Sequence, residues 1–164
     1  MPILPGTDRP QPIIMTPLGP GLEACYPPRA ERPMIQIRAI DHVVLRVRRL
    51  EPMLAFYRDV LGCPVEKVQA DLGLWQLRAG TALVDLVTVD GPPGREGGPA
   101  PGPDGHNLDH LCFRLETFDE VAIRAHLGRH GVDADRSANR YGADGEGPSM
   151  YLRDPEGNRV ELKG

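Results

Sequence analysis

The chain has 164 residues, 40% of them hydrophobic, and a formal net charge of -4, which is enough apolar content for one modest core and too little length for a second independent domain. Its basic residues are scattered rather than massed, so the electrostatic footprint of a nucleic-acid binder is missing, and no apolar run reaches the length of a membrane span. Cys25, Cys63 and Cys112 are odd in number and lack metal-like spacing, which speaks against a disulfide framework or a cysteine-based zinc site and fits a reducing cytoplasm.

Residues 1–34 carry nine prolines and little apolar periodicity, and read as an extended arm outside the core. Their start, MPILPGTDRPQP, lacks the charged and hydrophobic regions of a signal peptide. Residues 35–164 read as a single domain. Its first strand is HVVLRV, where Val43, Leu45 and Val47 alternate with His42, Val44 and Arg46. A helix follows over EPMLAFYRDVLG, with Met53, Phe56, Tyr57 and Val60 at helical spacing and Gly62 as its stop. The runs PVEKVQA, LGLWQLRAG and TALVDLVTV then read as strands. Residues 91–105, GPPGREGGPAPGPDG, are mostly Gly and Pro and read as a linker.

Beyond the linker the order repeats. LDHLCFRL matches IDHVVLRV, with Asp-His at its second and third places and Arg at its seventh. The next helix, TFDEVAIRAHLGRHG, opens on Thr117 and Glu120 spaced as a capping box and carries a stripe of Phe118, Val121, Ala122 and Ala125. VDADRS reads as a strand and NRYGADGEG as a glycine-rich loop. SMYLRDPEGNRVELKG reads as two strands joined at DPEGN, where Pro155 presets one angle and Gly157 takes the left-handed one. The outcome is an α+β fold of two βαβββ modules, about 36–90 and 106–164. Each is too small to stand alone, so the halves either pack into one domain or exchange between two chains.

Strand parity places His42 and His110 at equivalent positions of the first strands, and Asp85 and Glu161 at equivalent positions of the last. Two imidazoles and two carboxylates in one hollow suit a divalent ion with positions left open: Ni, Zn, Mn, Co or Fe. Arg46 and Arg114 share the histidine parity and offer forked hydrogen bonds to a substrate anion. Arg140 and Tyr141, in the loop at the mouth of the hollow, are further candidates for substrate contact. Cys112 points the same way as a small hydrophobe, while His106, His126 and His130 lack repeat partners and read as surface residues.

The doubled Asp-His strands, the Pro/Gly linker and the closing stretch YGADGEGPSMYLRDPEGNRVELKG resemble the vicinal oxygen chelate superfamily, that of glyoxalase I, fosfomycin and bleomycin resistance proteins, methylmalonyl-CoA epimerase and extradiol dioxygenases. The resemblance covers about residues 36–164. It implies the glyoxalase/bleomycin resistance/dihydroxybiphenyl dioxygenase-like fold, a curved cup-like mixed sheet around a metal, and a homodimer acting on a small molecule. It assigns the metal ligands to His42, His110 and Glu161, with Asp85 at a place where relatives usually carry Glu, Gln or His. Such a site favours glyoxalase-type lyase or isomerase chemistry through an enediolate, with Glu161 as the base. Two alternatives stay open: an iron(II) extradiol-type dioxygenase using His42, His110 and Glu161, and a metal-free binding or resistance protein.

Overall fold

The computed structural model describes Ile35 and residues 37–164, so the arm expected over 1–34 lies outside the described residues. Strand β1 (His42–Val47) leads into helix α1 (Leu50–Leu54), whose turns widen into a π-helical stretch over Ala55–Val60. Strand β2 (Val65–Gln69), a tight turn over Ala70–Leu72, β3 (Leu74–Ala79) and β4 (Ala82–Thr88) complete the first module. Its sheet runs β1-β4-β3-β2, with β1 parallel to β4 and the other pairs antiparallel.

The linker holds one helical turn, α2 (Pro92–Glu96). Its prolines stand in the first turn, where proline fits because its missing N–H would have had no partner. The second module follows as β5 (His110–Arg114), α3 (Glu120–Arg129), β6 (Ala138–Gly142), β7 (Gly145–Arg153) and β8 (Arg159–Lys163). Its order is β5-β8-β7-β6, with β5 parallel to β8. The two mixed four-stranded sheets thus share one topology, and the repeat legible in IDHVVLRV and LDHLCFRL is a repeat of fold.

Three local readings are corrected. VDADRS is no strand of its own, touching the sheet through the single bridge Ala134–Leu152. NRYGADGEG is not an open loop: Ala138–Gly142 pairs antiparallel with the start of β7 in a hairpin, and Gly145 supplies the positive φ of 94° at its turn. Helix α3 is capped by Asp119, whose Oδ1 accepts the Ala122 N–H at 3.0 Å. Glu120 lies inside the helix and pairs with Arg124 at 2.8 Å instead of reaching back to Thr117. The buried face is not the stripe read from sequence: Val121 is 80% exposed, while Leu127 is buried and Ile123 packs against the core. Loss of the cap in Asp119→Ala is expected to cost about 1 kcal/mol, read as a lower urea midpoint at unchanged slope.

Residues 40–164 form one compact unit. Leu45, Val47, Met53, Phe56 and Tyr57 of the first module share a core with Leu127, Met150, Leu152, Val160 and Leu162 of the second. Polar links sew the modules at the same seam. Glu156 Oε1 accepts the Arg48 and Arg49 backbone N–H groups at 2.8 and 2.6 Å. Asn107 binds both backbone polar groups of Arg46, as a neighbouring strand would. His126, read from sequence as a surface residue, is partly buried and donates from Nε2 to the Val60 carbonyl at 2.8 Å. No helix among the described residues is long and apolar enough to cross a membrane.

Candidate metal centre

Alternation along β1 sends Val43, Leu45 and Val47 toward the core and leaves His42, Val44 and Arg46 on the opposite face. The register Val44–Asp85 puts Asp85 of β4 on that face, beside Gln76 of β3. The second sheet repeats the plan: His110 and Cys112 of β5 share a face with Arg159 and Glu161 of β8 and with Tyr151 of β7.

Each histidine is held in the same way. His42 Nδ1 is hydrogen-bonded to Asp41 Oδ1 at 2.7 Å, and His110 Nδ1 to Asp109 Oδ1 at 2.6 Å. A carboxylate on Nδ1 fixes the neutral ring as the tautomer with Nδ1–H and turns the Nε2 lone pair outward. The repeated pair of letters is thereby explained, and Asp41 and Asp109, which sequence reasoning left without a role, orient the rings. The hydrogen bond to Asp41 also holds the His42 pKa above the ordinary histidine value, against a smaller opposing effect of burial and with help from the Asp85 charge.

The acids differ in setting. Asp85 is 3% exposed; its Oδ2 accepts the Gln76 Nε2–H at 2.9 Å, and its Oδ1 is buried with no hydrogen-bond partner among the described residues. A buried carboxylate oxygen left bare is costly in the absence of a cation or a donor. Glu161, 5% exposed, stands with Oε2 3.4 Å from His110 Nε2. With Nδ1–H engaged by Asp109, a neutral ring sets two lone-pair donors facing one another, an arrangement that a proton or a divalent ion between them relieves. The donor set fits such an ion.

The four residues divide into two pairs, His42 with Asp85 and His110 with Glu161. Among the described residues no three or more His, Cys, Asp or Glu side chains gather where one ion would reach them all. Single-chain convergence of the four, expected from pseudo-symmetry, is therefore not what one chain displays. The two pairs lie on separate sheets, each bounded by an edge strand that carries its histidine, β1 and β5.

The residues expected to touch substrate separate. Arg46 is committed elsewhere: its guanidinium donates to the carbonyls of Gly94, Gly97, Gly98 and Pro99 at 2.6–3.1 Å and so pins the linker. A Cβ added at Gly97 would fall 2.5 Å from that guanidinium, which would then have to shift. Arg114 is paired with Asp144. Tyr141 alternates with Arg140 and so lies on the other face of β6, 76% exposed. Arg140 stays on the Glu161 face, over the ring of Tyr151. Partial burial and then the Glu161 charge push the Cys112 thiol up to about 11, which keeps it neutral beside that acid although the residue is exposed. Burial and the same Glu161 charge raise the Tyr151 phenol.

Comparison with known proteins bears on the family and the fold. A family model for the Glyoxalase/Bleomycin resistance protein/Dioxygenase superfamily matches residues 39–162. The chain is 30% identical over 130 residues to the glyoxalase domain-containing protein RDO1 of Mycosarcoma maydis, covering 78% of this chain and 69% of that one. It is 29% identical over 126 residues to virulence protein STM3117 of Salmonella typhimurium, with 77% and 83% covered, and the crystal structure of that protein superposes with a TM-score of 0.64 over 79% of this chain and 98% of the other. An integron cassette protein from the mobile metagenome of V. cholerae superposes with the same TM-score at 28% identity, over 79% and 97% of the two chains. With the duplicated sheets and the match across nearly the whole described region, the chain belongs to the glyoxalase/bleomycin resistance protein/dioxygenase superfamily, the vicinal oxygen chelate fold.

Proposed function

We propose that the protein is a metal-dependent enzyme of glyoxalase type, a lyase or isomerase that moves a proton on a carbon next to two neighbouring substrate oxygens. One observation carries the reading: each sheet presents the same pair, a histidine tied through Nδ1 to the preceding aspartate and a buried acid on the adjoining parallel strand. His42, Asp85, His110 and Glu161 would hold the ion. When bound, a divalent ion supplies positive charge against the substrate oxygens as the adjacent carbon loses its proton.

The chain's own groups do the rest. Glu161 is the base that takes the proton and returns it. Asp41 and Asp109 keep both rings in the ligating tautomer, and Gln76 fixes Asp85 through one oxygen so that the other is free to ligate. Cys112 and Tyr151, both in their neutral forms, flank Glu161 without adding negative charge. Because one chain separates the pairs, two chains would complete each centre, the first sheet of one facing the second sheet of its partner.

Metal analysis of the purified chain tests this directly. The expected result is close to one divalent ion per chain, lost in His42→Ala, Asp85→Ala, His110→Ala and Glu161→Gln. Iron(II) with oxygen consumption would turn the reading toward a dioxygenase, and a metal-free chain whose ligand binding survives His110→Ala toward a binding protein. Ion retention should also fall with acidity. A ligating imidazole must be neutral, so protons compete with the ion for its histidines, and His42, protonated more readily than an ordinary histidine, yields the ion more readily as the pH drops. Ion content unchanged down to strongly acidic pH would contradict ligation by His42.

A further inference from the structure

The His110 face of the second sheet is cationic although the chain is net -4. Register and alternation place Arg114, Arg140, Arg153, Arg159 and Lys163 on it, together with Glu161. Two of these cations, Arg114 and Lys163, are committed, and Arg153 makes one backbone bond. Arg114 pairs with Asp144, Arg153 donates to the Gly157 carbonyl at 2.8 Å, and the buried Lys163 ammonium donates to the Arg140 and Gly147 carbonyls.

Arg140 and Arg159 are held differently. Their guanidinium carbons lie 4.5 and 3.9 Å from the ring centroid of Tyr151, and neither joins an ion pair among the described residues. Arg140 uses Nη1 on the Ser149 carbonyl and hydroxyl, at 3.0 and 2.9 Å, and on the Ala138 carbonyl at 3.4 Å, leaving the other side of its fork open. Arg159 is held by stacking. Asp109, the acid that senses its charge, is engaged by the His110 ring. Stacking on an aromatic face orients a guanidinium while leaving its edge N–H groups available, the form in which arginine grips a planar anion. The same Tyr151 ring meets His110 edge-on at 5.6 Å and is the register neighbour of Glu161. The open guanidinium edges are thus one ring away from the proposed ligands His110 and Glu161.

We infer that Arg159 and Arg140, mounted on Tyr151, bind a carboxylate of the substrate and so define its class: a small carboxylic acid whose vicinal oxygens lie a few bonds from the carboxylate. The inference deepens the metal-enzyme reading above and rests on it for the position of the reacting end. The first sheet supplies the contrast. Its corresponding face presents Val44, Leu74 and Leu83, and its arginines are occupied, Arg46 by the linker and Arg78 by Glu66. A substrate lying between the two kinds of face would therefore turn its charged end to the second sheet.

Calorimetric titration of the full-length protein with malonate and with neutral malonamide, before and after EDTA treatment, tests the site. The expected result is that malonate binds and malonamide does not, with binding surviving EDTA. Arg159→Leu and Arg140→Leu should each weaken malonate about tenfold or more, Arg159→Lys less, and Arg58→Gln, on an exposed helical turn, not at all. Circular dichroism checks folding, and Arg159→Gln serves if the leucine variant misfolds. Malonate binding that is absent, matched by malonamide, unchanged in both leucine variants, or present only with metal and indifferent to the arginines overturns the inference. Metal content read on the same samples separates the two proposals: an arginine-dependent malonate site on a chain that never holds metal supports this subsite and sinks the metal enzyme.

Discussion

Co-expressing His42→Ala chains with Glu161→Gln chains is expected to restore ion binding to about one site in four, where neither variant alone retains it. His42 and Asp85 stand on one sheet and His110 and Glu161 on another, and among the described residues one chain does not bring three of these donors together. If two chains complete each centre, random pairing makes about half of the dimers mixed, and each mixed dimer holds one centre with both substitutions and one with neither. Differently tagged chains allow the mixed species to be purified and its metal counted. Removing the base in Glu161→Gln should lower turnover roughly 100- to 10,000-fold, and the mixed dimer should regain about half of the wild-type rate. Complementation that fails, with both parent variants folded and metal-free, would place all four ligands in one chain and refute the exchanged arrangement.

The fold was legible because the repeat was written twice in strand alternation. Val43, Leu45 and Val47 against His42, Val44 and Arg46, and their counterparts in β5, fixed both the strands and the faces they present. The acids of β4 and β8 followed from the same parity. Other features depended on partners distant in sequence. Arg46 has the parity of a site residue, yet the linker folds back and offers it four carbonyls, which no periodicity reveals. Tyr141 was read as part of a loop, but the glycine-rich stretch is a hairpin, where each one-residue step inverts the side chain and sets it on the face opposite Arg140. Arg159 sits in GNRVEL two residues before Glu161 and was readable by parity alone, but its significance came from the stacking on Tyr151. Asp41 and Asp109 were in plain view beside their histidines. What the letters lacked was the Nδ1 hydrogen bond that turns a neighbour into an orienting group.

Removing the carboxylate of Asp154 should destabilise the chain by about 3 kcal/mol, the largest loss expected outside the apolar core. Asp154 is 4% exposed and lies at the junction of β7 and β8. Its Oδ1 accepts the Glu156 and Asn158 backbone N–H groups, both at 2.9 Å, which shapes the DPEGN turn. Its Oδ2 accepts the Asn158 side chain at 2.7 Å and the Tyr57 hydroxyl at 3.1 Å. The Tyr57 bond ties the second module to the helical segment of the first, so Asp154→Ala leaves a buried phenol and a buried amide unpartnered and loosens the seam between modules. Chemical denaturation should show the loss, with a fall in melting temperature of about 6–12 °C for a chain of this size. Tyr57→Phe, which removes one donor and keeps the ring, should cost about 1 kcal/mol. Burial raises the Asp154 pKa above the ordinary aspartate value, its hydrogen bonds opposing this only in part. The folded chain then holds this proton more tightly than the unfolded one, so the group's pH-dependent contribution is present below the unfolded pKa and lost as the pH rises through the folded one. The stability gap between wild type and Asp154→Asn should accordingly narrow from acidic toward neutral pH. A gap that widens instead would mean that the hydrogen bonds to the ionised carboxylate outweigh its burial, and that the turn is held by charge.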